Sequence, residues 1–166
     1  MRPDELAERL RTRYADVTVA RGEVTLVVPA GRLLETLQEL RADPELSFRF
    51  LADLTATDWP GLDPRVWVAY HLRSEEHGHR LRVKVGLPPE DHPHVPSVTG
   101  LYPTANWFER ETYDFFGVIF DGHPDLRRIE LPEDWQGHPL RKDHPLSGVR
   151  TQYKGAFVPP PDERGF

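Results

Sequence analysis

Val66-Trp67-Val68-Ala69-Tyr70-His71-Leu72 and Leu81-Arg82-Val83-Lys84-Val85-Gly86-Leu87, joined through the polar loop Ser74–His79, decide how this chain is read. The second run alternates apolar with polar or small residues, and the first does so apart from Trp67. That period of two puts Val66, Val68, Tyr70 and Leu72 on one face of a strand. A short polar link between two such strands brings them back beside each other, so the pair is expected to form an antiparallel hairpin.

Toward the N-terminus, Phe48–Thr57 reads as another strand, with Phe48, Phe50, Ala52 and Leu54 expected on one face; Asp58-Trp59-Pro60-Gly61 ends it. Further back, Leu6 and Leu10 lie one helical turn apart among charges, predicting a short amphipathic helix over Pro3–Tyr14. Arg21-Gly22 reads as a turn, and Val24–Val28 as a buried strand stopped by Pro29. Leu33, Leu34, Leu37 and Leu40 then predict a second helix with its exit at Pro44. Beyond the hairpin, prolines 88, 89, 93 and 96 interrupt regular structure. Ser97–Tyr102 is expected to form a short helix. A longer one starts near Pro103, runs through Trp107, Glu111 and Phe115, and is capped by Gly117.

After the brief apolar run Val118–Phe120, periodicity fades and proline recurs at 124, 132, 139 and 145. The expected architecture is therefore α+β: a single domain over 1–120 with a mostly antiparallel sheet flanked by helices, followed by an extended, irregular arm over 121–166. Gly148–Phe166, rich in proline and charge, is expected to be flexible in isolation.

Composition narrows the function. Among 166 residues, hydrophobic types make up 38%, charged types 29%, and proline contributes 17 positions. That proline share is about twice the usual one, which fits a modest core with segments that order against a partner. A net charge of −6 argues against a general nucleic-acid grip. No stretch reaches the ~20 apolar residues of a membrane span, and the mixed-charge start MRPDELAERLRTRY lacks an apolar signal region. A soluble chain made in the cytoplasm and able to dock on a membrane complex is expected. The sequence contains no cysteine, so it supplies neither disulfides nor the thiolates that usually hold iron–sulfur clusters.

Two constellations have chemical content. In Glu109-Arg110-Glu111-Thr112-Tyr113-Asp114-Phe115-Phe116-Gly117, helical spacing puts Glu111 and Asp114 on one face with Trp107, opposite the stripe Phe108, Thr112 and Phe115. Paired carboxylates can act as acid and base. Without an accompanying nucleophile or metal cluster, a solvated, salt-bridged or partner-contacting face is the favoured reading. The second is an echo: Gly122-His123-Pro124-Asp125-Leu126-Arg127-Arg128, then Gly137-His138-Pro139-Leu140-Arg141-Lys142 fifteen positions on. Proline extends the residue before it, so each copy presents a histidine and a basic pair from irregular backbone. The interleaved Asp125, Glu130, Glu133, Asp134 and Asp143 suit salt-bridged protein contacts. Two rival readings remain open: a hydrolase using Glu111, Asp114 and His123, and a metal-binding module using the paired histidines. No phosphate-binding loop or dinucleotide fingerprint is present.

The run Trp107–Phe120, with Gly122-His123-Pro124-Asp125-Leu126-Arg127-Arg128-Ile129, Leu131-Pro132-Glu133-Asp134-Trp135 and Gly137-His138-Pro139-Leu140-Arg141-Lys142-Asp143, resembles the signature of one family. It is the 30-kDa (C-type) subunit family of proton-pumping NADH:quinone oxidoreductase, respiratory complex I. Asp53-Leu54-Thr55-Ala56-Thr57-Asp58 resembles that family's acidic strand end, and Pro96–Tyr102 the lead into its signature helix. The resemblance spans roughly 48–145. His144 stands where tyrosine is frequent, and the tail is shorter and richer in proline than in some relatives.

The resemblance implies a subunit of the peripheral arm on the cytoplasmic side of the cell membrane, with no catalytic, cofactor-binding or metal residues of its own. FMN and iron–sulfur clusters are then expected in partner subunits, and the 49-kDa (D-type) subunit as the main neighbour. Glu109, Arg110, Glu111, Tyr113, Asp114, Gly117, Gly122, His123, Pro124, Asp125, Leu126, Arg127, Arg128, Pro132, Gly137, His138, Pro139, Arg141, Lys142 and Asp143 would then form the signature and subunit interface. The alternative is the equivalent subunit of a related membrane-bound hydrogenase-type enzyme, which neighbouring genes would distinguish.

Overall fold

Leu6 and Leu10 turn inward from α1 (Pro3–Arg11), and Ala7 between them completes its buried face. The chain then forms β1 (Val17–Ala20) and β2 (Glu23–Val27), an antiparallel pair closed by Arg21 and Gly22, both at positive φ. The first of these strands is not anticipated above, because four residues carry too little pattern. The computed structural model describes residues 1–145 and the strand backbones of 151–153 and 156–158. The turn Ala30–Arg32 leads into α2 (Leu33–Ala42), which buries Leu33, Leu37 and Leu40 while Leu34 faces out.

The strands β3 (Phe50–Asp58), β4 (Val66–Arg73) and β5 (Arg80–Leu87) complete a five-stranded sheet in the order β1-β2-β5-β4-β3. Its pairs are antiparallel except β2 with β5, which is parallel. The expected hairpin holds throughout: Val66, Val68, Tyr70 and Leu72 are buried, as are Leu81, Val83, Val85 and Leu87. Burying each such side chain contributes roughly 1.5–3 kcal/mol, and together with the inward faces of α1 and α2 they make one core.

The face expected for β3 is corrected. Pairing with β4 shifts register between Leu51 and Asp53, so a bulge at Ala52 breaks the alternation. Leu51, Leu54, Ala56 and Asp58 point inward, while Phe50 and Ala52 are exposed; Phe48 is buried but precedes the strand. Ser97–Tyr102 is likewise not a helix. It makes one hydrogen-bonded turn, with the Leu101 and Tyr102 N–H groups donating to the Val98 carbonyl.

Two three-residue strands, β6 (His94–Pro96) and β7 (Ile119–Asp121), pair in parallel on either side of α3 (Ala105–Phe116) in the chain. From Gly122 to Pro145 the chain is ordered turn and extended backbone without helix or strand. The stretch 148–166, expected to be flexible in isolation, lies outside the described residues apart from the backbones of β8 (Thr151–Tyr153) and β9 (Ala156–Val158), which pair antiparallel.

Candidate functional site

The signature residues converge on α3 and the arm that returns across it. Ala105, Glu109, Thr112 and Phe116 recur at helical spacing and are the buried stripe. The helix stops at Gly117, whose φ of +76° is left-handed and whose N–H donates to the Tyr113 carbonyl at 2.9 Å. Glycine is needed there twice over, since a Cβ would lie 2.6 Å from Cδ2 of His138.

The two Gly-His-Pro copies grip opposite ends of this helix. His123 Nε2 donates to the Asn106 carbonyl at 3.2 Å near the start, while its Nδ1 accepts the Asp125 N–H at 3.0 Å. His138 Nδ1 donates to the Asp114 carbonyl at 2.9 Å near the end, and the Leu140 N–H donates to the Phe115 carbonyl at 3.1 Å. The second copy thus satisfies carbonyls that the last helical turn leaves without partners. Burial holds the His138 imidazole below its ordinary value, against the opposing pull of the Asp114 carbonyl.

Asp114 does not stand with Glu111 on a solvated face. Its side chain is fully buried: Oδ1 accepts from Arg128 at 2.5 Å, and Oδ2 accepts the N–H groups of Ile129, Glu130 and Leu131 at 3.0, 2.9 and 2.9 Å. Desolvation pushes this carboxyl upward, but the three N–H groups and Arg128 outweigh it and leave it below the usual aspartate value. Arg128 also donates to the Gly137 carbonyl, and Arg110 donates to the carbonyls of Arg127 and Arg128. Together these bonds fix the loop from 127 to 137.

Glu109 is a buried carboxyl that the sequence places in the signature without a chemical role. Oε1 accepts the Val98 N–H and Oε2 the Ser97 hydroxyl, each at 2.7 Å, while His123 Nε2 stands 4.0 Å away. Burial raises its pKa to about 7 despite those two donors. The available signal is its spacing from Ala105, Thr112 and Phe116, which places it on the inward stripe.

At residues 141–143 the arm is clamped to the sheet. Arg65, just before β4, forks onto Asp58 at 2.6 and 2.9 Å and reaches Asp143 at 2.8 Å. Asp58 also accepts the Lys142 N–H at 2.8 Å. Arg141 pairs with Asp143 and donates to the Asp91 carbonyl at 2.6 Å. Arg141 and then Arg65 pull Asp143 down to about 2, and the Arg65 fork lowers Asp58. Arg65 is not among the residues singled out above; its signal is that it and Asp58 close the two ends of one tight strand connection.

The remaining signature residues lie outward or at the rim. Trp107 is 61% exposed under the Arg110 guanidinium, and Leu140 is 49% exposed. Glu111, Asp125, Arg127 and Lys142 are exposed, as are Gly122, Pro124, Pro132 and Gly137. Tyr113, Leu126 and Pro139 are half-buried. Glu111 is raised by partial burial and by Glu130 and Asp53, which mark an acidic patch.

Asp114 and His123 are thus bound to separate partners, and Glu111 is exposed on the helix surface, unlike an acid–base pair sharing a substrate. Two pockets of about 560 and 540 Å³ are lined by none of them. The loop histidines His77 and His79 are bonded to the carbonyls of Pro44 and Leu46. Among the described residues, no three His, Asp or Glu side chains gather as metal ligands would.

The same chain pattern recurs in known proteins. The chain is 47% identical over 171 aligned positions to the C subunit of NADH-quinone oxidoreductase from Mycolicibacterium gilvum, covering 97% of this chain and 75% of that protein. It is 49% identical to the corresponding protein of Mycobacterium marinum, covering 97% and 72%, and 49% identical to that of Mycobacterium tuberculosis, covering 97% and 71%. Among solved structures, a chain of the membrane-bound sulfane sulfur reductase, an archaeal respiratory membrane complex, superposes with a TM-score of 0.73 at 28% identity. That match covers 86% of this chain and 85% of the other. Residues 26–150 match the family described as respiratory-chain NADH dehydrogenase, 30 Kd subunit. This protein therefore belongs to the 30-kDa subunit family of the respiratory-chain NADH dehydrogenase.

Proposed function

We propose that this chain is a structural and assembly subunit of a proton-translocating NADH:quinone oxidoreductase, holding neighbours in place while electrons pass from NADH to quinone elsewhere in the complex. It has no active site and no cofactor of its own in this reading; FMN and iron–sulfur clusters belong to partner subunits. Its position is the peripheral arm on the cytoplasmic side of the membrane, against the 49-kDa-type subunit.

One observation carries the reading beyond family membership. The arm directs its hydrogen bonds inward, to both ends of α3 and to the Asp58–Arg65 pair, and leaves Trp107, Glu111, Arg127 and Leu140 facing out. Exposed aromatic, leucine and arginine side chains on a fixed backbone are the usual makings of a protein interface. The superposition on a chain of another respiratory membrane complex supports the rival assignment only as a related assembly, because the NADH-quinone oxidoreductase relatives are far closer in sequence.

The test is complementation of cells lacking the chain. Arg127→Ala removes an exposed contact and Arg141→Ala frees the arm's end; both should lower the yield of assembled complex and membrane NADH:quinone reduction together. Unchanged yield with both variants would count against an assembly role.

A further inference from the structure

The outer face of the sheet carries a charge pattern that the arm does not use. In the β4–β5 register Arg73 stands directly opposite Arg80, and Phe50 of β3 pairs with Arg73 from the other side. Like charges directly opposite on a sheet repel and weaken it. Among the described residues, neither guanidinium has a carboxylate within 4.0 Å, whereas Arg82, two positions along β5, is paired with Glu23. The arginines overhang a pocket of about 540 Å³ whose walls include Met1, Leu6, Phe50 and Leu72. Phe50 is 41% exposed there, an unusual place for a phenyl ring. His71 and His79 also border it; burial holds both below their ordinary value, so the positive charge at neutral pH comes from the arginines.

We propose that this end of the sheet docks an acidic segment of a neighbouring subunit, with Arg73 and Arg80 taking its carboxylates and Phe50 and the pocket floor taking an adjoining apolar side chain. The inference rests on the chain being a subunit of a larger complex. Charge complementarity selects the occupant: the protein as a whole is at −6, yet this end presents two arginines that repel each other and, among the described residues, have no carboxylate within 4.0 Å. The guanidinium fork matches a carboxylate. An anionic membrane surface fits less well, because the arginines border a concavity that a chain segment can enter and a bilayer surface cannot.

The experiment uses the full chain in cells lacking their own copy. A photo-crosslinking residue replaces Phe50, and the solubilised complex is mapped by mass spectrometry. Alongside it, R73E/R80E and R73K/R80K are compared for complex yield, and R80E alone for thermal stability of the isolated chain. The expected results are a crosslink to an Asp- or Glu-rich stretch of a partner subunit and at least a fivefold loss of complex with R73E/R80E. R73K/R80K should retain most of the yield. Isolated R80E should melt no lower than the parent, since it removes a like-charge pair, and isolated R73E/R80E should melt close to the parent, since it exchanges one such pair for another; the second comparison separates docking from folding. A crosslink to lipid or to a stretch without acids, or normal assembly of R73E/R80E, would overturn this inference alone. Failure of the unsubstituted chain to enter any complex would overturn the functional reading and this inference with it.

Discussion

Arg65 Nη2 lies 2.8 Å from Asp143 Oδ2 across a sequence separation of 78 residues, while the same guanidinium forks onto Asp58. One arginine thus ties the connection between β3 and β4 to the arm at Asp143. Asp58 reinforces the tie by accepting the Lys142 N–H. Loosening this clasp frees the arm from the sheet without touching the core.

The clasp should be acid-sensitive. Asp143 is lowered to about 2 in the folded chain, against an ordinary value near 4. A lowered acid stabilises the fold fully above its unfolded pKa, and that contribution is lost as pH falls through the folded one. Protection of the backbone amides in 138–145, relative to their intrinsic exchange rates, should therefore fall between about pH 4 and pH 2, before the core strands open. In Asp143→Asn the same amides should exchange faster already at neutral pH and lose that acid step. Equal protection of arm and core down to pH 2 would contradict the clasp.

Glu109 should behave in the opposite sense. Its pKa is raised to about 7, so its favourable contribution is complete below about 4.5 and disappears as pH rises through 7. The parent chain should lose stability over that window by something on the order of 3 kcal/mol. Glu109→Gln keeps an acceptor for the Val98 N–H and should flatten the slope. Urea titrations at several pH values between 4.5 and 8 measure this; identical slopes for both chains would refute it.

Gly117→Ala should cost about 2 kcal/mol or more, because a left-handed alanine is strained and its Cβ collides with His138. Thermal denaturation should show a fall of roughly 4–8 °C. Combined with His138→Ala, the loss should be smaller than the two single losses added, since the clash is then absent. Strict additivity would show that the contact does not matter.

Tyr70 is fully buried, yet its hydroxyl has no hydrogen-bond partner among the described residues. An unsatisfied buried polar group costs roughly 1–3 kcal/mol. Tyr70→Phe should leave stability unchanged or raise it by about 1 kcal/mol. A clear loss in denaturant melts would reveal a partner for that hydroxyl.

The parts legible in the sequence are those governed by local rules. Alternation across Val66–Leu72 and Leu81–Leu87 specifies the buried face of the hairpin, and Gly117 marks the helix end because only a left-handed cap suits it there. The rest depends on distant partners. The Ala52 bulge is a property of β3 pairing with β4, so a lone strand reading puts Phe50 inward when it faces out. The Gly-His-Pro echo is plain in the sequence. That its copies hold opposite ends of one helix follows only once the arm folds back. Helical spacing alone puts Asp114 on a solvated or salt-bridged face; its salt bridge to Arg128 fits that reading, but its full burial does not follow, because its partners lie 14 to 17 residues downstream in irregular chain.

That this chain works inside an NADH:quinone oxidoreductase, not alone and not in a hydrogenase-type complex, is tested most directly by affinity isolation of the full chain from native membranes solubilised in mild detergent. Mass spectrometry identifies the partners, and the eluate is assayed for NADH:quinone reduction. Recovery of the 49-kDa-type subunit together with that activity is the predicted result. Elution of the chain alone, or with nickel-site subunits in place of NADH-oxidising ones, would contradict it.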